Sequence, residues 1–181
     1  MRLKPFLIAL PLLATLLFLG AARGADDTGP TLTVVPLHGP TTQWTVPQLE
    51  ALPGAKEFPY TSHAQPHTGR GLPLLDLLQA AGVPTDFEME EGADPKAKNY
   101  LLRVVLVVQA NDGYTVSFSL AELFPDVGHR TAWVAFDVDG KPLSGQAGPA
   151  RLIVPEDKLP ARSVRGVIRL SVVDPTPSTQ P

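Results

Sequence analysis

The chain of 181 residues contains no cysteine. It therefore has no disulfides, no thiolate to hold a metal or an iron–sulfur cluster, and no thiol nucleophile. No glycine loop of the G-x-x-x-x-G-K form occurs and no serine sits in a nucleophile-elbow context, so the usual phosphate cradle and acyl-transfer centre are both missing. Basic charge is scarce, with 15 Lys and Arg against 18 Asp and Glu. Long apolar runs are also scarce: the one long enough to notice is Phe6–Leu19. Proline, by contrast, is abundant at 20 residues. That many breakers cut a chain into short elements and favour β-rich structure over long helices.

The apolar run has a recognisable setting. Arg2 and Lys4 precede it, and Ala22-Arg23-Gly24 follows with small residues at the −3 and −1 positions of a cleavage site. This order predicts a secretory signal peptide over residues 1–24 and an exported protein, periplasmic or secreted, beginning at Ala25. A membrane anchor is the alternative reading; the shortness of the run and Pro11 within it argue against that. Without Arg2, Lys4 and Arg23, 12 of the basic residues remain against 18 acidic ones, a net charge of −6. Such a balance argues against nucleic acid or an anionic membrane surface as a partner.

Along the chain, residues 25–31 read as a linker and residues 32–173 as one domain. Leu32–Leu37 and Thr42–Trp44 read as strands about a His38-Gly39-Pro40 turn. Thr45-Val-Pro-Gln48 is a capping box opening a short helix through Leu52. Lys56–Arg70 reads as a long irregular polar loop. Pro73–Ala81 is the clearest helix, with Leu74, Leu77, Leu78 and Ala81 on one face and Gly82 as its stop. Asp86–Lys98 reads as an exposed acidic insertion. The centre of the chain is Tyr100–Phe124: an apolar strand over Leu101–Ala110, an Asn111-Asp112-Gly113 turn, an alternating strand over Tyr114–Phe118, then a Ser119–Glu122 capping box and a short helix ending near Pro125. Thr131–Val138, Leu152–Val154 and Val164–Val173 complete the strands. Pro142–Ala150 reads as a glycine-bearing loop, and residues 174–181 as a disordered tail.

Few side chains stand out chemically. Asp112 and Tyr114 put a carboxylate and a phenol at a hairpin tip, although a well-made turn needs nothing more of them. His63 and His67 are four apart, but Pro66 between them argues against a helical metal site. Arg151 lies between a Gly-Pro loop and an apolar strand, where an arginine either pairs with an acid at a strand edge or binds an anion.

Several blocks together carry a resemblance. They are Gly71-Leu-Pro-Leu-Leu-Asp-Leu-Leu-Gln-Ala-Ala-Gly82, Ala110-Asn-Asp-Gly-Tyr114, Asp139-Gly-Lys-Pro-Leu143, Gly148-Pro-Ala-Arg-Leu-Ile-Val-Pro155 and Val164-Arg-Gly-Val167. In order and spacing they resemble the sulfite-oxidase-type molybdopterin-binding domain. The resemblance implies an α+β fold, a β-rich roll with a few short helices. It also implies that Arg151 sits where the family binds the phosphate end of the pterin cofactor. Gln146 stands where the family often has histidine, and Arg165 where it often has lysine.

The resemblance also exposes a departure. The family takes its molybdenum-ligating cysteine from the loop before the Leu-rich helix, here Tyr60–Arg70, and this loop has none. His63, His67 and Arg70 remain there as possible contacts for a phosphate or small anion. Loaded enzymes of the family usually leave the cytoplasm folded through a twin-arginine signal, whereas Arg2-Leu-Lys4 has no arginine pair. The expectation is a binding module for a small anionic ligand or an exported partner protein. Its site would draw on Arg151, Arg165, Gln146, Tyr114, Asp112, His63, His67 and Arg70, with no cofactor of its own. The alternative is a molybdopterin-dependent oxidoreductase with atypical metal ligation.

Overall fold

The computed structural model describes residues 29–85 and 102–176. Two five-stranded sheets face each other across a single main core. The first has the order β2-β1-β10-β5-β6: β1 is Thr31–Val35, β2 Thr42–Thr45, β5 Val105–Ala110, β6 Thr115–Ser119 and β10 Val167–Val173. Among the described residues its parallel pair is β1 with β10, which joins an early strand to the last one. The second sheet runs β3-β4-β7-β8: β3 is Lys56–Ser62, β4 Gln65–Pro73, β7 Trp133–Val138 and β8 Lys141–Pro142. The short strand β9, Arg151–Ile153, pairs with the N-terminal half of β7. This is the β-rich α+β roll that the sequence leads one to expect.

Alternation along the strands sets the layers. In β7, Val134 and Phe136 point into the main core, while Ala135 between them faces the other side. Leu72, Leu152 and Val154 join Val134 and Phe136 there, against Val34, Leu106, Val108, Leu170 and Val172 of the first sheet. Helix α2, Leu74–Ala80, closes one end with Leu74, Leu77 and Leu78 fully buried. Helix α1, Val46–Glu50, starts where expected: Gln48 Oε1 accepts the Thr45 N–H at 2.9 Å, the returning limb of a capping box. Glu122 does the same for the Ser119 N–H at 3.2 Å, opening a 3-10 turn over Leu120–Leu123.

One expectation fails outright. Lys56–Arg70 is not an irregular loop; it forms β3 and most of β4, paired from Lys56↔Gly71 to Ser62↔Gln65. Two prolines obscure this in the sequence. Pro59 is tolerated because β3 is an edge strand. Pro66 lies on the part of β4 that has only β3 beside it, since β7 joins at Gly69. The connecting turn is His63-Ala64, both with positive φ, +49° and +61°. That is a two-residue hairpin turn without the Asn or Gly that normally announces one. Smaller corrections concern edges. The central strand opens at Val105 instead of Leu101, and the last strand at Val167 instead of Val164. Asp174, assigned to the tail, accepts Arg103 through both oxygens, at 3.0 to 3.2 Å. The signal peptide, the acidic insertion and the extreme C-terminus lie outside the described residues.

Candidate functional site

The side of the second sheet that faces away from the main core carries its own small apolar cluster: Phe58, Tyr60, Ala135 and Ile153. Gly69 makes this layer possible. A Cβ there would lie 2.5 Å from Phe58 Cζ, so the ring rests directly on bare backbone. Phe58 in turn stacks on Trp133 with ring centres 4.1 Å apart. Arg151 pairs in register with Ala135 and is two residues from Ile153, so its side chain rises from this same face.

There it borders a cleft of about 320 Å³ between the His63-Ala64 turn and the loop of residues 155–163. Arg151 is half-buried, and its Nε is fully buried with no hydrogen-bond partner. Among the described residues the guanidinium has no carboxylate to pair with. Burial, above all, and the charge of Arg165 hold its pKa below the ordinary arginine value, while Tyr60 acts in the opposite sense. Burial likewise raises the Tyr60 phenol, against the pull of Arg151 and Arg165. Tyr60, Arg151 and Arg165 thus share one electrostatic neighbourhood.

His67 stands behind Tyr60, its ring stacked on the phenol at 5.3 Å. Its Nδ1 lies 2.8 Å from Asp139 Oδ2. A carboxylate can only accept, so Nδ1 carries the hydrogen. Asp139 Oδ1 also takes the Thr68 N–H at 2.9 Å. These bonds, His67 first, hold the Asp139 carboxyl below its usual pKa. Asp139 and Gly140 form the β7–β8 turn, both at positive φ, so the carboxylate is aimed by a tight hairpin.

Arg165 lines a second, wide groove with Asn111, Asp112, Ser144 and Gln146. Three loops meet there. The Asn111 N–H donates to Gly166 C=O at 2.8 Å, and the Asn111 amide donates to Gln146 C=O at 3.3 Å. Gly166 has φ +61°, and a Cβ on it would lie 2.5 Å from the Gln146 carbonyl oxygen. Only glycine lets the chain pass so close at that φ. Arg165 itself has no ion-pair partner among the described residues.

The residues singled out from the sequence therefore separate. Arg151 and His63 line the cleft, and His67 backs it. Arg165, Gln146 and Asp112 line the groove. Asp112 also fixes its turn, accepting the Tyr114 N–H at 2.9 Å. Tyr114 lines neither; its hydroxyl donates to Ala161 C=O at 2.9 Å, bracing the 155–163 loop. Arg70 does not join the others. It lies three residues beyond His67, on the opposite face of β4, bonded to Glu50 at 3.1 Å and packed over Phe136. Tyr60 and Asp139 were missed. The period-two pattern of Phe58-Pro-Tyr60 and the Asp139-Gly140 turn were the signals available for them.

The donor set can be matched to a cofactor. An unpartnered guanidinium beside a second cation and a phenol fits a phosphate or another oxyanion. It does not fit molybdenum held by thiolate, because the chain has no cysteine. Among the described residues no three His, Asp or Glu side chains lie close enough to hold a metal ion. Nor, among those residues, is any helix long and apolar enough to cross a membrane.

A model of the oxidoreductase molybdopterin binding domain matches residues 61–180. Among solved structures, the chain is similar to the sulfane dehydrogenase SoxCD from Paracoccus pantotrophus, with a TM-score of 0.53 and 21% identity. The likeness covers 80% of this chain and 38% of that one, so the chain spans well under half of the SoxCD chain it matches. At that identity it is a likeness of fold. No curated protein matches the chain.

Proposed function

We propose, on the premise that this chain belongs to the oxidoreductase molybdopterin-binding domain family, that it is an exported binding module whose Arg151 cleft takes a small oxyanion. It would have no molybdenum redox centre of its own. The observation that carries this is the Arg151 guanidinium, half-buried and without a partner. A buried charge is normally paired, because desolvation without compensation is costly. An arriving oxyanion supplies the missing acceptor through charge-assisted hydrogen bonds. Arg165 adds attraction, and the Tyr60 hydroxyl, which has no hydrogen-bond partner among the described residues, offers a neutral donor. Titration calorimetry with sulfate and acetate should show binding to the wild type and a loss of about tenfold or more in Arg151→Ala. Equal binding by both proteins would sink the site.

Family membership favours a second reading. In a molybdopterin-dependent oxidoreductase with atypical metal ligation, Arg151 and Arg165 would hold the cofactor's phosphate end, and the cofactor would supply the redox chemistry. What weighs against it is the missing cysteine. Export rests on the order of charge, apolar run and small residues in Arg2–Gly24.

A further inference from the structure

We infer that the cleft beside Arg151 is shaped for a small organic anion, a carboxylate or sulfonate on a short apolar body, rather than for a bare inorganic oxyanion. This rests on the anion-binding reading above and adds the rest of the ligand to it. Size is the first reason. At about 30 Å³ per water in the liquid, a cleft of about 320 Å³ holds about ten water-sized groups. A sulfate or phosphate at Arg151, with five non-hydrogen atoms, leaves about half of that volume to solvent.

The lining is the second reason. Arg151, Lys158 and His63 stand on the cleft as cationic or donor groups, while Ile153, Pro155 and Leu159 present carbon to it. Leu159 is 76% exposed and is set on the lip of the cleft between Lys158 and Pro160. A bare oxyanion leaves this apolar wall wet. A ligand with an attached apolar body covers it, and each methylene buried in this way tightens binding by up to about fourfold.

The third reason is that the acid in the wall does not compete for the ligand's place. Asp157 accepts Arg162 through both oxygens, at 2.7 and 2.8 Å, and Arg130 at 3.2 Å. Its charge is thus met by two guanidinium groups, Arg162 and Arg130. The same bonds hold the 155–163 loop in place, together with Ser163 Oγ, which accepts the Val154 N–H at 3.1 Å. A wall held in advance spares a small ligand the cost of ordering it.

The test is calorimetry on the purified full chain with acetate, butyrate, hexanoate and octanoate, and with sulfate as the inorganic probe. Affinity should rise by about twofold to fourfold per methylene from acetate to hexanoate. It should level off near octanoate, which has about as many non-hydrogen atoms as the cleft has room for. Leu159→Ser should flatten the series from butyrate to octanoate. Leu159 is exposed enough that this variant keeps its melting temperature, which is measured alongside. If acetate, hexanoate and sulfate all bind wild type equally, this inference fails while the anion-binding reading stands. If no anion binds, both fail. A chain-length dependence that survives in Arg151→Ala would mark adsorption to an apolar surface and also overturn it.

Discussion

Arg162 and Arg130 converge on the same acids. Arg162 bonds both oxygens of Asp157 and one of Glu122, and Arg130 reaches Glu122, Glu156 and Asp157. The Arg162 hydrogen bond, first among several causes, holds the Asp157 carboxyl below its usual pKa. A depressed folded pKa gives stability that is fully present above the ordinary aspartate value, near 4. That stability is lost as pH falls through the lower folded value. The melting temperature of the wild type should therefore fall on acidification below about pH 4. In Asp157→Asn it should start lower at neutral pH and fall less steeply. Asp139 and Asp174 are also depressed, so the acid limb should flatten without vanishing. Parallel curves for the two proteins would show that this pair does not contribute. The convergence on Glu122 was not legible in the sequence, because Glu122 and Arg162 are 40 residues apart. Arg151 is the opposite case. Its identity stood out in the sequence, and only the structure shows that among the described residues no carboxylate pairs with it.

Among the elements, the β3–β4 hairpin is the instructive one. Its strands alternate as strands should, with Phe58 and Tyr60 buried, yet Pro59 and Pro66 make the same residues read as loop. Both prolines are harmless for a reason the sequence does not contain, namely which strands lie beside them. The His63-Ala64 turn is testable. Ala64 sits at φ +61°, where a Cβ costs about 1 kcal/mol or more. Glycine avoids that cost but loses roughly 0.4–1 kcal/mol to the greater freedom of the unfolded chain. Ala64→Gly should therefore raise stability by about 0.5 kcal/mol, and Ala64→Val should lower it by about 1 kcal/mol or more. Urea denaturation measures both. If both substitutions are neutral, the segment is a loose loop after all. By contrast, α2 was legible almost to the residue, because its apolar period, its Pro73 start and its Gly82 stop are all local.

At the scale of the molecule, the two functional readings separate on one sample. Protein recovered from its native host outside the cytoplasm should begin within a few residues of Ala25 by mass spectrometry. Elemental analysis of the same sample should find far less than one molybdenum per chain. Near-stoichiometric metal would promote the oxidoreductase, and an intact Met1 would remove export from the proposal. Composition and local pattern were enough for the β-rich class, α2, the central hairpin and the family resemblance. Each depends on residues within a few positions of one another or on short blocks in a set order. The absence of cysteine, and so of a thiolate ligand, was likewise complete in the sequence. What the tertiary structure alone decided is which face each candidate takes. Strand side chains alternate, so Arg70 and His67, three apart on one strand, part company. Arg151, Tyr60 and His63 meet because β9, β3 and the hairpin turn are brought to one side of β7 and its neighbours. Register and sheet order arise from pairings between distant segments, and no local pattern encodes them.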